Sequence, residues 1–408
     1  MKAIICGGSV GGLFCAAALM RAGWEVVVFE RSAVELSGRG AGIVTHPALL
    51  KALESVGAGT DDLGVAATDR VAIDRAGGTI KTIAHSQIFT AWDRVYSLLR
   101  ALIPPGAYRL DSALASYRDN GDSVVVRFED GSEETADLLV GADGFRSAVR
   151  AQMFPDVQPR YADYVVWRAV AEEAALSTEF RERLFETFGI YAPSGRQILG
   201  YPIAGAHNDL RPNHRRYNFV WYRAYDADEL AAMLIDANGE AHDVSIPPPL
   251  IREDVVATME EEARQRVPSV FLDALDAADR PFFTPIYDLI SPQFAQGRVA
   301  LCGDAACTAR PHVGMGVTKA ADDALCLARS VAAGNIPEGL TAYSAERLPV
   351  ARFVYDRAQR LGRYIFSEES GGAANTDGRG HPHLDEVVRF TGVDCSADAV
   401  KQVAAAPT

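Results

Sequence analysis

Asp304, Pro311, His312, Gly314 and Gly316 fall within one short stretch, "GDAACTARPHVGMG", between the apolar run "GRVALC" and the helical pattern "VTKAADDALCLARSVAAG". Few strand-to-helix loops need so many special residues. An imidazole can exchange a proton near neutral pH. Glycines at a helix start bring unpaired backbone N–H groups, and the positive end of the helix, close to an electron-rich group. This is the chemistry of a site that holds a negatively charged edge and sets a titratable ring beside it.

A second chemical stretch lies at the N-terminus. "GGSVGG" (Gly7 to Gly12) sits between the apolar run at 3–6 and the helical pattern "GGLFCAAALMRA". A tight turn there aims N–H groups at a pyrophosphate. Ser9 takes the place of the middle glycine of GxGxxG, still permits a fairly close approach, and carries a hydroxyl that can contact phosphate. Glu30 ends the next strand, "WEVVVFE", 23 residues after Gly7, where an acid accepts hydrogen bonds from an adenosine ribose. These residues point to a dinucleotide without separating NAD from FAD.

The elements that position these residues follow from pattern. Residues 3–30 form a βαβ unit, with helices expected at 47–56 and 92–103. "DSVVVRFEDGSEETADLLVGADG" reads as strand, Asp-Gly turn, strand and buried strand. Between about 160 and 285 the chain turns β-rich and aromatic, with a helix at 253–266. It then returns to strand, loop and long helix, with another helix at 338–365 and a loop before a short terminal helix. At 408 residues, 48% hydrophobic, the chain can bury a large core. Its net charge of -14 argues against nucleic acid and anionic membranes as partners. Six scattered cysteines without CxxC or metal-like spacing fit a reduced cytoplasmic protein, and no metal site is expected.

"LLVGADGFRSAVR" then separates the two cofactors. With Asp143-Gly144, Ser147 and Arg150 it matches D-G-x-x-S-x-x-R at every position, and so resembles the class A flavoprotein aromatic monooxygenases typified by para-hydroxybenzoate hydroxylase. "GDAACTARP" is similar to that family's G-D-A-x-H-x-x-x-P, with Cys307 in place of the histidine; "PHVGMG" continues its P-x-x-G-x-G, and "GLTAYSAERLPVAR" resembles its next helix. "ARPHVGMGVTKAADDA" and "YVVWRAV" look most like the 2,6-dihydroxypyridine 3-hydroxylase branch. The resemblance implies an α/β fold: a discontinuous Rossmann-like FAD-binding domain (1–70, 95–160, 285–365), an inserted antiparallel β-sheet substrate lobe (71–94, 161–284), and a C-terminal helical segment (366–408). It implies FAD, with NADH or NADPH as transient reductant, and hydroxylation of a small electron-rich phenol or N-heterocycle by O2 through a flavin C4a-hydroperoxide. A homodimer is kept open.

The expected cofactor-binding residues are Gly7, Ser9, Gly12, Glu30, Arg31, Arg39, Arg94, Asp143, Asp304, Pro311, Gly314 and Gly316. Asp304 is implied to bind the ribitol, Arg39 the diphosphate, and Arg94 to be the helix-borne arginine that contacts FAD. An electrophilic oxygen needs an activated ring, usually one partly deprotonated, so a base near the working pH is the economical device. The candidates are His312, His46 and Tyr217, each weighed against a packing or surface role. Arg168 is a candidate for orienting an anionic substrate, against a structural salt bridge. "NFVWYRAY" and "FFTPIYDL" could wall the site or pack the sheet core. The competing functions are an oxidase, reductase or halogenase on the same scaffold, and a non-enzymatic flavin-binding protein.

Overall fold

The structure, a computed structural model, describes residues 1–38, 42–193, 195–332, 334–366, 384–396 and Lys401. Its first sheet runs in the order Ala295–Gln296, Val299–Leu301, Leu138–Gly141, Lys2–Cys6, Glu25–Phe29, Tyr108–Arg109. All neighbours are parallel except the edge strand Ala295–Gln296. The central strands are apolar without alternation because both faces are covered. Helix Val10–Arg21 is buried along most of its length between this sheet and helix Gly316–Ser330. A three-stranded antiparallel sheet (Leu114–Asp119, Val124–Phe128, Glu133–Ala136) packs on the same core.

The second sheet has nine strands in the order Cys307–Thr308, Phe282–Ile290, Arg160–Glu172, Arg216–Ala224, Gln197–Ile203, Thr187–Tyr191, Val65–Ile73, Thr79–Ala91, Gly42–Val44. Every pairing is antiparallel except Thr187–Tyr191 with Val65–Ile73. Side chains alternate faces along a strand. Val165, Trp167, Tyr217, Phe219 and Trp221 therefore pack under helices Glu253–Arg266 and Ser269–Asp276. Tyr164, Val166, Leu199, Tyr201, Val220 and Tyr222 take the opposite face, with Val387 and Val388 of helix Leu384–Phe390 buried against it.

Strand pairing differs from the boundaries expected from the sequence. Gly42–Val44 and all of Val65–Ile73 pair in the lobe sheet, as do the residues of Phe282–Ile290 beyond 285. The cause is the long hairpin Val65–Ala91, closed at Asp74 and Gly78, which carries Gly42–Val44 on its outer edge. No helix among the described residues is long and apolar enough to cross a membrane.

Candidate active site

The carboxyl ends of the parallel strands open into a cleft of about 610 Å³. Gly7 turns the chain at φ +108°, and a Cβ there would stand 2.3 Å from the Ala142 carbonyl oxygen. A Cβ on Gly12 would stand 1.9 Å from the Gly7 oxygen, so only glycine lets the helix sit on its own turn. Ser9 caps Val10–Arg21 by backbone only, its side chain free of capping bonds, and the first turn carries no acid. The N-terminal N–H groups of this helix are thus offered to the cleft.

Glu30 is buried at the end of its strand, its two oxygens accepting from Gly8 N at 2.7 Å and Ser32 N at 2.8 Å. Each oxygen keeps a lone pair for the cleft, and Arg31 lies exposed beside it. Asp143 Oδ2 accepts from Ala148 N at 2.7 Å, while Oδ1 is buried without a partner. Burial raises the Asp143 pKa against the downward pull of these hydrogen bonds. Arg150, also buried, donates to Phe145 O at 2.5 Å and to Ala305 O at 3.1 Å, tying this fingerprint to the Asp304 loop.

A second cavity of about 250 Å³ lies under the lobe sheet. Asp304, Gly316 and Val317 line both spaces, so the two meet at the start of helix Gly316–Ser330. That helix has no acid in its first turn. Below it Lys319 is buried, donating to Gly303 O at 2.8 Å with Asp323 at 3.4 Å, and Asp323 also holds Arg347 at 2.7 Å. Pro311 and His312 form a short 3-10 turn ended by Gly314 at φ +65°.

His312 is fully buried in the cavity wall, its ring 4.3 Å from that of Tyr222. Both ring nitrogens are engaged, Nε2 with Tyr164 Oη at 2.9 Å and Nδ1 with Gln197 Oε1 at 2.8 Å. Burial, aided by the Arg310 charge, pushes its pKa down to about 3. It lines the site but is neutral, and it has no nitrogen free to take a substrate's proton. Arg168 lines the same cavity with Nη1 buried and unpartnered. Burial pushes the phenols of Tyr201 and Tyr222 up, and the charge of Arg168 works against it.

Three expectations are corrected by this geometry. His46 is not in the cavity wall but behind it, bonded to Thr318 Oγ1 at 2.9 Å and to Gly392 O at 3.3 Å. Burial holds its pKa at about 4. Tyr217 faces away, its ring 4.7 Å from Phe180 in the helix-covered core, because odd positions of Arg216–Ala224 point there. Arg94 lines a separate cavity with His207 and Arg216 rather than the dinucleotide cleft, since the helix Trp92–Arg100 turns Trp92 to the cleft instead. Arg39 lies outside the described residues.

Beside Arg168, already a candidate from the sequence, the functional face holds residues that motif reading did not select. Cross-strand register aligns three rows: Val166, Tyr222 and Gln197; Arg168, Val220 and Leu199; Val170, Asn218 and Tyr201. Asn218 is fully buried with neither amide atom paired. The period-two pattern of "YVVWRAV", "QILGYPI" and "NFVWYR" carried the signal for all of these residues.

A dinucleotide cleft whose far end opens into an aromatic-walled cavity defines a flavoprotein that works on a small molecule beside its flavin. The residues fit FAD on structural grounds: an unpartnered buried Asp143 oxygen, a glycine cradle and two acid-free helix starts. The family described as FAD binding domain-like matches residues 161–288. The 2,6-dihydroxypyridine 3-monooxygenase of Paenarthrobacter nicotinovorans is 32% identical over 331 residues, covering 79% of this chain and 81% of the relative. Salicylate hydroxylase of Pseudomonas putida is 26% identical over 86% of this chain and 82% of that enzyme. The solved structure of 2,6-dihydroxypyridine-3-hydroxylase from Arthrobacter nicotinovorans superposes with a TM-score of 0.84 at 28% identity, covering 94% of this chain and 98% of that one.

The chain belongs to the FAD-dependent aromatic monooxygenases, enzymes that consume NAD(P)H and O2. It is therefore an enzyme and not a passive flavin carrier. FAD, when bound and reduced, would activate O2 for transfer of one oxygen atom; the protein's part is to hold the ring, keep water out and set charge.

Proposed function

We propose that the enzyme hydroxylates a small hydroxypyridine or phenol, bound as its anion in the second cavity. One observation carries this reading: Arg168 is the only cation of that cavity without a carboxylate partner among the described residues. Of the other two, Arg310 is held by Asp288 at 2.6 Å and Lys319 by Asp323 at 3.4 Å. A half-buried guanidinium that no carboxylate offsets favours an anionic ligand and lowers the pKa of a ring hydroxyl beside it. With His312 neutral, we infer that ring activation comes from this charge and not from a histidine base. The cavity volume, about 250 Å³, suits a single ring, being smaller than the ~300–1,000 Å³ of pockets for drug-sized ligands.

In the same reading Gly7, Ser9 and Gly12 receive the diphosphate, Glu30 and Arg31 the adenosine end, and Asp304 the ribitol. Pro311, Gly314 and Gly316 shape the loop beside the isoalloxazine. The buried thiols of Cys6, Cys15, Cys302, Cys307 and Cys326 support a cytoplasmic setting.

The test is a panel of hydroxypyridines, phenols and uncharged ring analogues, followed by NAD(P)H oxidation, O2 uptake and product analysis. Coupled turnover confined to ionisable rings is expected. NAD(P)H oxidation that ignores every ring and yields only hydrogen peroxide would overturn the reading.

A further inference from the structure

The segment following helix Leu384–Phe390 reaches the substrate cavity, where Thr391 and Gly392 form part of the wall. It is seated by a buried guanidinium. Arg70, 1% exposed, donates to Thr391 O at 2.5 Å and Val388 O at 3.3 Å through Nη1, and to Gly392 O at 3.4 Å and Gln87 Oε1 at 3.0 Å through Nη2. Gln87 Nε2 adds a bond to Gly392 O at 2.8 Å, and Gly392 N donates to His312 O at 2.8 Å. Carbonyls at a helix C-terminus are a natural seat for a cation. The segment is thereby fixed against the loop that carries His312.

Thr391, 2% exposed, makes one further contact. Gln197 Nε2 donates to Thr391 Oγ1 at 3.2 Å, which leaves Gln197 Oε1 turned to His312 Nδ1 at 2.8 Å. An amide oxygen can only accept, so Nδ1 carries the proton and Nε2 accepts from Tyr164 at 2.9 Å. The far end agrees: the Arg310 guanidinium, 5.5 Å from the Tyr164 ring centroid, is a donor only and offers the phenol's proton no acceptor. Tyr164, His312 and Gln197 thus donate in one direction, and Thr391 receives the last bond.

We propose that Thr391 is a positioning residue, whose hydroxyl oxygen orients the Gln197 amide and so holds His312 as its neutral Nδ1–H tautomer in the cavity wall. The tautomer assignment stands on these hydrogen bonds alone; only its consequence for turnover rests on the function proposed above. Without an acceptor at position 391, the two amide orientations become comparable. One strands a Gln197 N–H, and the other reverses the chain and strands the Tyr164 O–H beside Arg310.

The test uses the FAD-bound enzyme and two variants of nearly unchanged shape, Thr391→Val and Thr391→Ser, read by ¹⁵N NMR of the histidine rings, with His312→Gln to assign the signal. The wild type and Thr391→Ser are expected to show protonated Nδ1 only. Thr391→Val is expected to lose that single state, with protonated Nε2 appearing alongside, while FAD stays bound. An unchanged spectrum in Thr391→Val overturns the proposal, as does a Thr391→Ser spectrum like that of the valine variant. With the enzyme's ring substrate, the valine variant is expected to lose kcat while FAD affinity holds and the serine variant recovers it. If no ring supports turnover in the wild type, the function fails and the tautomer result still decides the proposal.

Discussion

Arg168→Met is the variant that tests the charge logic of the cavity most directly. The methionine keeps apolar bulk and removes the one positive charge that lacks a carboxylate partner. Two unit charges ~4 Å apart attract by ~4 kcal/mol at an effective dielectric near 20. An opposite charge within hydrogen-bonding range lowers a pKa by about 1–3 units, each worth ~1.4 kcal/mol. Arg168 is partly exposed, so the lower half of that range applies: about 1–2 units, or about 10–100-fold. The sign follows from the anion being the favoured form. With Arg168 the bound ring hydroxyl ionises at lower pH; without it the acidic limb of the kcat/KM profile moves up by about 1–2 units. Affinity for the ionised ring, read from flavin absorbance during substrate titration, is expected to fall by a similar factor, with Arg168→Lys in between. FAD affinity is expected to hold, because Arg168 lines only the second cavity. An unmoved acidic limb with unchanged substrate affinity would refute the assignment of the anion to Arg168.

Three further outcomes are expected. Asp304→Ala is expected to weaken FAD retention by about 10–100-fold, the worth of a charged hydrogen bond at ~1.5–3 kcal/mol, with the fold intact by circular dichroism; a fully yellow protein after desalting would count against it. Gly12→Ala is expected to lose FAD and lower the melting temperature, because its Cβ would lie 1.9 Å from the Gly7 oxygen; a variant that melts and binds flavin like the wild type would contradict the turn geometry. His46 and His312 have folded pKa values near 4 and near 3, below the 6.5 of a free imidazole, so the unfolded chain binds more protons below pH 6.5. Stability is therefore complete above about pH 6.5 and falls as pH drops toward 4, by up to ~1.4 kcal/mol per pH unit for each histidine. Urea unfolding of His46→Gln across that range is expected to show a shallower decline; a slope identical to wild type would remove His46 from the acid sensitivity.

How far the sequence carried the site depends on whether each residue acts through backbone or side chain. The glycine turn at Gly7 to Gly12, Glu30, Asp143 and the Asp304 loop were legible because backbone demands leave few residue types able to meet them. The cavity wall was legible only at Arg168 and His312, because the rest is made by register. Arg168, Tyr222 and Gln197 come from three strands far apart in the chain, and only their pairing puts them on one face. Tyr217 shows the cost of choosing by residue type: one position along, Asn218 faces the site side and Tyr217 the helices. His46 was a candidate as a titratable ring, but burial and two hydrogen bonds make it part of the frame. The C-terminal segment carried no motif at all, and its place in the cavity wall follows from carbonyl groups that any sequence possesses.

Arg168, half-buried in the wall of the second cavity, differs from the buried arginines of the fold. Arg215 is closed by Glu173 at 2.7 Å and Arg347 by Asp323 at 2.7 Å. Arg70 and Arg150 lack a carboxylate but reach backbone carbonyls on neighbouring segments. Each of these four connects pieces of the fold, as a structural arginine should. Arg168 connects none by a carboxylate, keeps a buried Nη1 unpaired and sits beside Asn218, whose amide is also unpaired. Leaving such groups buried and unmatched costs about 1–3 kcal/mol each, more when charged. An open nitrogen alone does not set Arg168 apart, since Arg70 Nε, Arg150 Nε and Arg347 Nη2 are also buried and unpaired; what does is a charge that no carboxylate offsets, placed in the wall of the second cavity where a ligand can meet it. An anionic ring in that cavity would offset the charge, whereas an uncharged ring would leave Arg168 facing only the Tyr201 phenol.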